Sequence, residues 1–236
     1  MTNTLIQIKI KQRLNKLASL DYDNIECWQV SEAFNKAQLE WFRRQIHGHN
    51  QGKEGDESTK MNIDDIQLMI TDTGNTWGST QYPLYYESDP LPSDYLYFKR
   101  ISVDCISDCC PGPRPMITYL AQVGDVDNLL GDDFRSPSAE WGETICTISN
   151  NRIKIYTNGE FNLGIPTLYY FRKPLDIEFN GCMNPSDGTI ATSDVSCEFK
   201  DDIVEILIDE ACSILAGDIE SMTQYQREKQ NATLNN

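Results

Sequence analysis

The sequence predicts an α+β protein, with N- and C-terminal helices packed as a bundle and a central antiparallel β domain. Three observations predict it. Apolar residues recur at three- and four-residue spacing near both ends, which is the period of a helix face. The middle alternates large apolar and polar residues with period two between turn signals, which is the pattern of half-buried strands. The first and last helical stretches flank that middle, so they bury their stripes most simply against each other.

Residues 1–80 form the N-terminal helical part. Within Leu5–Leu20, the residues Ile6, Ile10, Leu14 and Leu17 share one face. A second helix is expected from Asp23, which with Glu26 makes a capping box. Val30, Phe34, Ala37 and Trp41 repeat along it as a narrow seam, and Leu39, Phe42 and Ile46 form a second stripe, so the helix has two packing partners. Gly48 ends it. Residues 48–60 contain no hydrophobic side chain and read as a flexible loop.

Residues 81–198 read as a β-rich insert of about five or six strands. Stretches 93–105 and 114–123 alternate, 125–134 is a short helix, and 144–157 is a hairpin turning at Asn150-Asn151, which tolerate positive φ. A further strand fills 167–179, with Pro174 at an edge or bend. Residues 199–223 form a C-terminal helix that rejoins the helical part. Its start carries a second D-x-x-E box at Asp202 and Glu205, and Val204, Ile208, Ala211, Leu215, Ile219 and Met222 recur along it. Residues 224–236 are polar and read as an extended arm.

Charge excludes one broad class. The net charge is −16, with nine Lys/Arg against eight Asp/Glu in residues 1–60 and eleven against twenty-eight afterwards. Tight DNA binding depends on Lys/Arg displacing counterions, so this chain does not grip a phosphate backbone, although DNA can slide past it. The opening MTNTLIQIKIKQRL has lysines inside its apolar stretch and does not read as a signal peptide. The eight cysteines are therefore expected as reduced thiols in a soluble, cytosol-made protein, with no membrane span.

Candidate chemistry is sparse. His47 and His49, the two histidines, form an H-x-H pair near Glu54, Asp56 and Glu57, but no third ligand stands at fixed spacing, and we read them as solvated. Cys105, Cys109 and Cys110 have half of a zinc-site spacing without the second half, and read as small hydrophobes. No metal, cofactor or catalytic residue is expected. Nucleophile-elbow, P-loop and dinucleotide signatures are missing from the sequence. Paired carboxylates at Asp132-Asp133 and Asp201-Asp202 read as caps and solvated faces rather than a glycosidase pair. The adjacent Arg43 and Arg44 read as an ion-pair contact with a neighbouring subunit's carboxylates. Tyr85, Tyr86, Tyr95, Tyr97, Trp77 and Trp141 leave open a carbohydrate-binding or tail-associated β module, since aromatic rings stack on sugars; in strands such residues more often form cross-strand pairs.

Three passages carry a resemblance: VSEAFNKAQLEWFRRQIHGHNQG; LPSDYLYFKRISVDC with DVDNLLGDDFRSPSAEW; and TLYYFRKPLDIEF leading to DDIVEILIDEACSILAGDIESMTQYQ. Their order resembles the head–tail connector (ring or adaptor) proteins of short-tailed bacteriophages, most closely those of crAss-like phages. The resemblance implies a structural virion protein at the portal vertex, forming a homo-oligomeric ring, generally of twelve copies, below the portal protein. Such a ring extends the channel for genomic DNA and carries the next tail ring. It implies no enzyme activity. Helices with two stripes suit head-to-tail contacts, so Phe34, Trp41, Arg43, Arg44, Ile208 and Leu215 are the expected subunit interface. The arm, with Tyr225, Arg227 and Lys229, is the expected docking element for the portal or a neighbour. His47, His49 and the Cys105–Cys110 stretch have no role in that family.

Overall fold

A computed structural model describes residues 1–14, 25–47, 66–73, 80–81, 84–107, 110–185, 187–218, 226 and 229–230. It is mixed α+β, and the chain divides into two compact units: residues 1–68 with 174–236, and residues 69–173. The β-rich unit is thus shorter at its C-terminal end than the sequence expects, because residues 174–198 belong with the helices.

The first unit contains α1 (Asn3–Leu14) and α2 (Cys27–His47). Ile6, Ile10 and Leu14 are fully buried, as their shared face requires; Leu17 lies outside the described residues. The capping box sits three residues later than expected. Asp23 is outside the described residues, and Glu26 precedes the helix, its backbone N–H donating to Gln29 Oε1 at 2.9 Å while its carbonyl accepts from Val30 N. Gln29 supplies the reach-back that a capping box needs at that position. The long C-terminal helix spans Asp201–Asp218, and Lys200 caps it through a carbonyl that accepts from Val204 N at 3.0 Å. Asp201 and Asp202 therefore lie in the first turn, where the helix dipole favours carboxylates, rather than at the cap.

Residues 174–200 hold little regular structure, only the isolated bridges Glu178–Val195 and Met183–Ile190. Helix side chains fasten this lobe instead. Asn3 Nδ2 donates to the carbonyls of Glu178 (2.8 Å) and Val195 (2.9 Å), Asn35 Oδ1 accepts from Ile177 N (2.8 Å), and the Cys197 thiol donates to Gln38 Oε1 (3.3 Å). Trp41 meets Phe199 edge-on with ring centroids 5.1 Å apart. Cys27 and Cys182 are joined by a disulfide, which corrects the expectation of reduced thiols throughout. Sequence spacing could not show it, because the two lie 155 residues apart. Gln226, Lys229 and Gln230 have helical backbone, and the rest of the expected arm, 224–236, lies outside the described residues.

The second unit is a single sheet of β1 (Ile70–Thr73), β2 (Thr80–Gln81), β3 (Tyr85–Glu87), β4 (Tyr95–Ser107), β5 (Cys110–Leu120), β6 (Glu143–Ser149), β7 (Arg152–Tyr156), β8 (Asn162–Leu163) and β9 (Thr167–Arg172). Its order is β1-β9-β4-β5-β6-β7-β3-β2, with β8 on β4. The β6–β7 turn is the expected one: Asn150 and Asn151 have φ of 50° and 58°. One face packs Ile101, Val103, Met116, Cys146, Ile153, Ile155 and Leu168 into a core.

The sheet is mixed, not purely antiparallel: β5 and β6 run parallel, Ile117 opposite Glu143 through Leu120 opposite Cys146. The reason is the connection. Residues 121–142 are long enough to carry the chain back to the start of β6, and they do so through a 3-10 turn (Val123–Asp125) and α3 (Val126–Leu130), whereas a hairpin needs a tight turn. The C-terminal helix, Asp201–Asp218, is hereafter α4.

Candidate functional site

The helical residues expected at a subunit interface lie inside the chain's own core. Phe34 and Ile208 are fully buried, and Trp41 and Leu215 nearly so. A side chain already covered by its own chain has no surface to offer a neighbour, so these four are corrected from interface to core. Arg44 has an ion-pair partner within the chain, its Nη2 2.9 Å from Glu210 Oε2 on α4, although its buried Nε and Nη2 make no aligned hydrogen bond. Arg43 is exposed. Tyr225 and Arg227 lie outside the described residues, as do His49 and Cys109; Lys229 is exposed.

The α1–α4 contact explains why the carboxylates of α4 can be covered. Lys9 and Arg13, one turn apart, meet Glu205 and Asp209, also one turn apart: Lys9 Nζ pairs with Glu205, Arg13 Nη2 lies 2.6 Å from Glu205 Oε2, and Arg13 Nη1 2.5 Å from Asp209 Oδ1. The N-terminal ammonium pairs with Asp201. Asp209 and Glu210 are buried, and a buried carboxylate is tolerated only with its cation in place. Arg44→Ala leaves Glu210 without that cation and is expected to destabilise the helical unit by about 2–3 kcal/mol, read as a lower urea midpoint at unchanged slope. Arg44→Ala with Glu210→Gln is expected to recover part of the loss.

The β unit contains the surface that sequence reasoning missed. Between Ile117 and Trp141, six large apolar side chains face outward: Ile117 (58% exposed), Tyr119 (49%), Leu120, Val123, Phe134 (96%) and Trp141 (78%). Ile117 N donates to Gly142 O at 2.8 Å, which sets Trp141 beside the start of the exposed part of β5. The signal was present. β5 has apolar residues at both strand parities, Met116, Ile117, Tyr119 and Leu120, which fills two faces rather than one. Phe134 and Trp141 stand alone in the polar stretches GDDFRS and SAEWGE.

The edge of β5 beyond β6 is poorly suited to pairing with another strand. Ile117 N points toward the β6 side, so by the two-residue period the nitrogens of Pro113 and Pro115 face the same way; Gly112, at a φ of 104°, breaks the period before them. Prolines there present carbonyls but no N–H, which disfavours sheet extension. A partner is better met by the side chains of this region than by its backbone.

Catalytic arrangements do not appear among the described residues. A shallow cleft lined by Thr73, Ser88, Asp89, Pro90, Leu91 and Ile153 contains a serine, but Ser88 Oγ donates to Asp89 O (2.7 Å) and accepts from Ile153 N (2.9 Å), which makes it structural. No group of three or more His, Cys, Asp or Glu is placed to hold a metal ion among the described residues, and no helix among them is long and apolar enough to cross a membrane. Asp132 caps its own turn, accepting from Phe134 N at 3.0 Å. Of the candidate sugar-stacking rings, Tyr95 packs on Tyr170 and Tyr85 on Tyr156, Tyr86 Oη donates to Asn162, Tyr97 is half-buried, Trp77 is outside the described residues, and Trp141 is exposed.

Three titrating groups of the β unit are held protonated by burial. Desolvation pushes Cys146 up to about 12; desolvation, then the nearby Cys146, does the same to Tyr95. Desolvation, followed by the hydrogen bond to Asp94, raises Tyr170 to about 12. Each folded value lies above the unfolded one, so the stability is fully present below the ordinary thiol and phenol values and is lost as pH rises toward the folded ones. The melting temperature is expected to hold from neutrality to about pH 9 and to fall steeply between about 9 and 12; Tyr170→Phe should make that fall shallower.

The chain matches no family model and no curated protein.

Proposed function

We propose that this chain is a structural virion protein: a subunit of a ring below a phage portal that connects capsid to tail, extends the DNA channel, and has no catalytic activity. In this reading α1, α2 and α4 form the bundle body of each copy, closed on itself. Neighbouring copies meet through the outward apolar surface of the β unit, with exposed Arg43 turned to the portal protein or the next tail ring.

The observation that carries the reading is the exposed run from Ile117 to Trp141, because soluble monomers rarely leave so many large apolar side chains uncovered in one short stretch. The resemblance of three passages to connector proteins supports the reading, and the acidic majority of the chain suits a wall that DNA passes without binding. Native mass spectrometry tests it. The chain, alone or with portal, is expected in high multiples of 26.9 kDa; a species that stays single under both conditions overturns the reading. Exposed Trp141 favours a second reading, a glycan-binding module, which predicts instead a single chain whose glycan binding is lost on Trp141→Ala.

A further inference from the structure

Cys27 is the first residue of α2 and is half-buried; Cys182 is buried in the turn after Gly181, and their Cα atoms stand 6.0 Å apart. That spacing is the one a disulfide uses. The other described thiols are placed differently. Cys105, Cys146 and Cys212 are buried, with Cys212 Sγ directed at the Ile10 carbonyl, and Cys197 is engaged with Gln38.

We propose that Cys27 and Cys182 form a redox site that takes a low-molecular-weight disulfide, such as glutathione disulfide, as its oxidant and fixes the 174–200 lobe to the start of α2. Cys27, half-buried where Cys182 is buried, is the more accessible sulfur. Its thiolate attacks one sulfur of the oxidant, forming a mixed disulfide and releasing one thiolate, which takes up a proton. The Cys182 thiol, giving up its proton, then attacks Cys27 Sγ; the protein disulfide forms and the second small thiol leaves. One disulfide is consumed and one formed, so two electrons pass from the cysteine pair to the oxidant.

The bond's position gives it a structural consequence. The hydrogen bonds of Asn3, Asn35 and Gln38, and the Trp41–Phe199 contact, fasten the lobe at 177–178 and 195–199, its base. Cys182 lies on the outer turn, beside exposed Met183 and near exposed Ile190 (68%). Oxidation clamps that turn; reduction leaves it held from the base. This holds whether or not the chain is a connector subunit, since it concerns one copy.

The test is hydrogen exchange on the full chain after glutathione-disulfide oxidation and after reduction, with peptide mapping. Oxidation is expected to yield a peptide linking Cys27 to Cys182, and reduction to speed exchange about tenfold in 180–194 while leaving 143–156 unchanged. Cys27→Ser with Cys182→Ser should exchange like reduced wild type under both conditions; reduced wild type alone gives the comparison if that variant does not fold. Absence of the linked peptide after oxidation overturns the proposal, and so does a linked peptide with no change in 180–194.

Discussion

Ile208→Asp is expected to unfold the helical unit. Ile208 is fully buried on α4, the helix that carries Glu205, Asp209 and Glu210 to their cations on α1 and α2. The substitution removes a buried aliphatic side chain, worth about 2–5 kcal/mol, and places a carboxylate in a fully buried position. Together these exceed about 5 kcal/mol, as much as the whole stability of many domains. Far-UV circular dichroism should show lost helix, with urea unfolding no longer cooperative at room temperature. Ile8→Asp is the control, because Ile8 on α1 is 55% exposed and should change stability by about 0.5 kcal/mol or less. A folded Ile208→Asp chain with a normal urea midpoint would mean that α4 does not pack as described.

Ile117→Asp combined with Trp141→Ser is expected to do the opposite: leave the fold intact and abolish assembly. Both side chains face solvent and contribute little to the core of Ile101, Val103, Met116 and Ile155. Their removal should shift the melting temperature by no more than a few degrees. At an interface they would be buried anchors, and losing an aromatic anchor while adding a charge costs several kcal/mol of association, on the order of a thousandfold in affinity. Sedimentation reads the loss directly. Normal assembly of this variant would move the contact elsewhere.

The contrast between these variants marks what the sequence could and could not say. The stripes of Ile6, Ile10 and Leu14, of Val30, Phe34 and Trp41, and of Val204, Ile208 and Leu215 were legible, and every one of these residues is buried. What covers them was not legible, because amphipathicity shows that a face is buried without showing whether the cover is the same chain or the next. Within the single chain, basic residues one turn apart on α1 match acidic residues one turn apart on α4, which the sequence periods do not reveal. The Asn150-Asn151 hairpin was legible because its turn chemistry is local. Strands β2 and β8, two residues each, carry no period to detect. The parallel β5–β6 pair was hidden because pairing direction depends on the path of residues 121–142, which no alternation pattern encodes. The Cys27–Cys182 bond and the lobe it holds were hidden for the same reason, since both depend on contacts distant in sequence.

The most direct test is a cryo-electron micrograph reconstruction of the purified particle with this chain traced in it. The account expects a ring at the portal vertex in which α2 and α4 pack within each copy and side chains between Ile117 and Trp141 touch the next copy. A chain located away from that vertex, or a ring whose copies meet through Phe34, Trp41, Ile208 and Leu215, would contradict it.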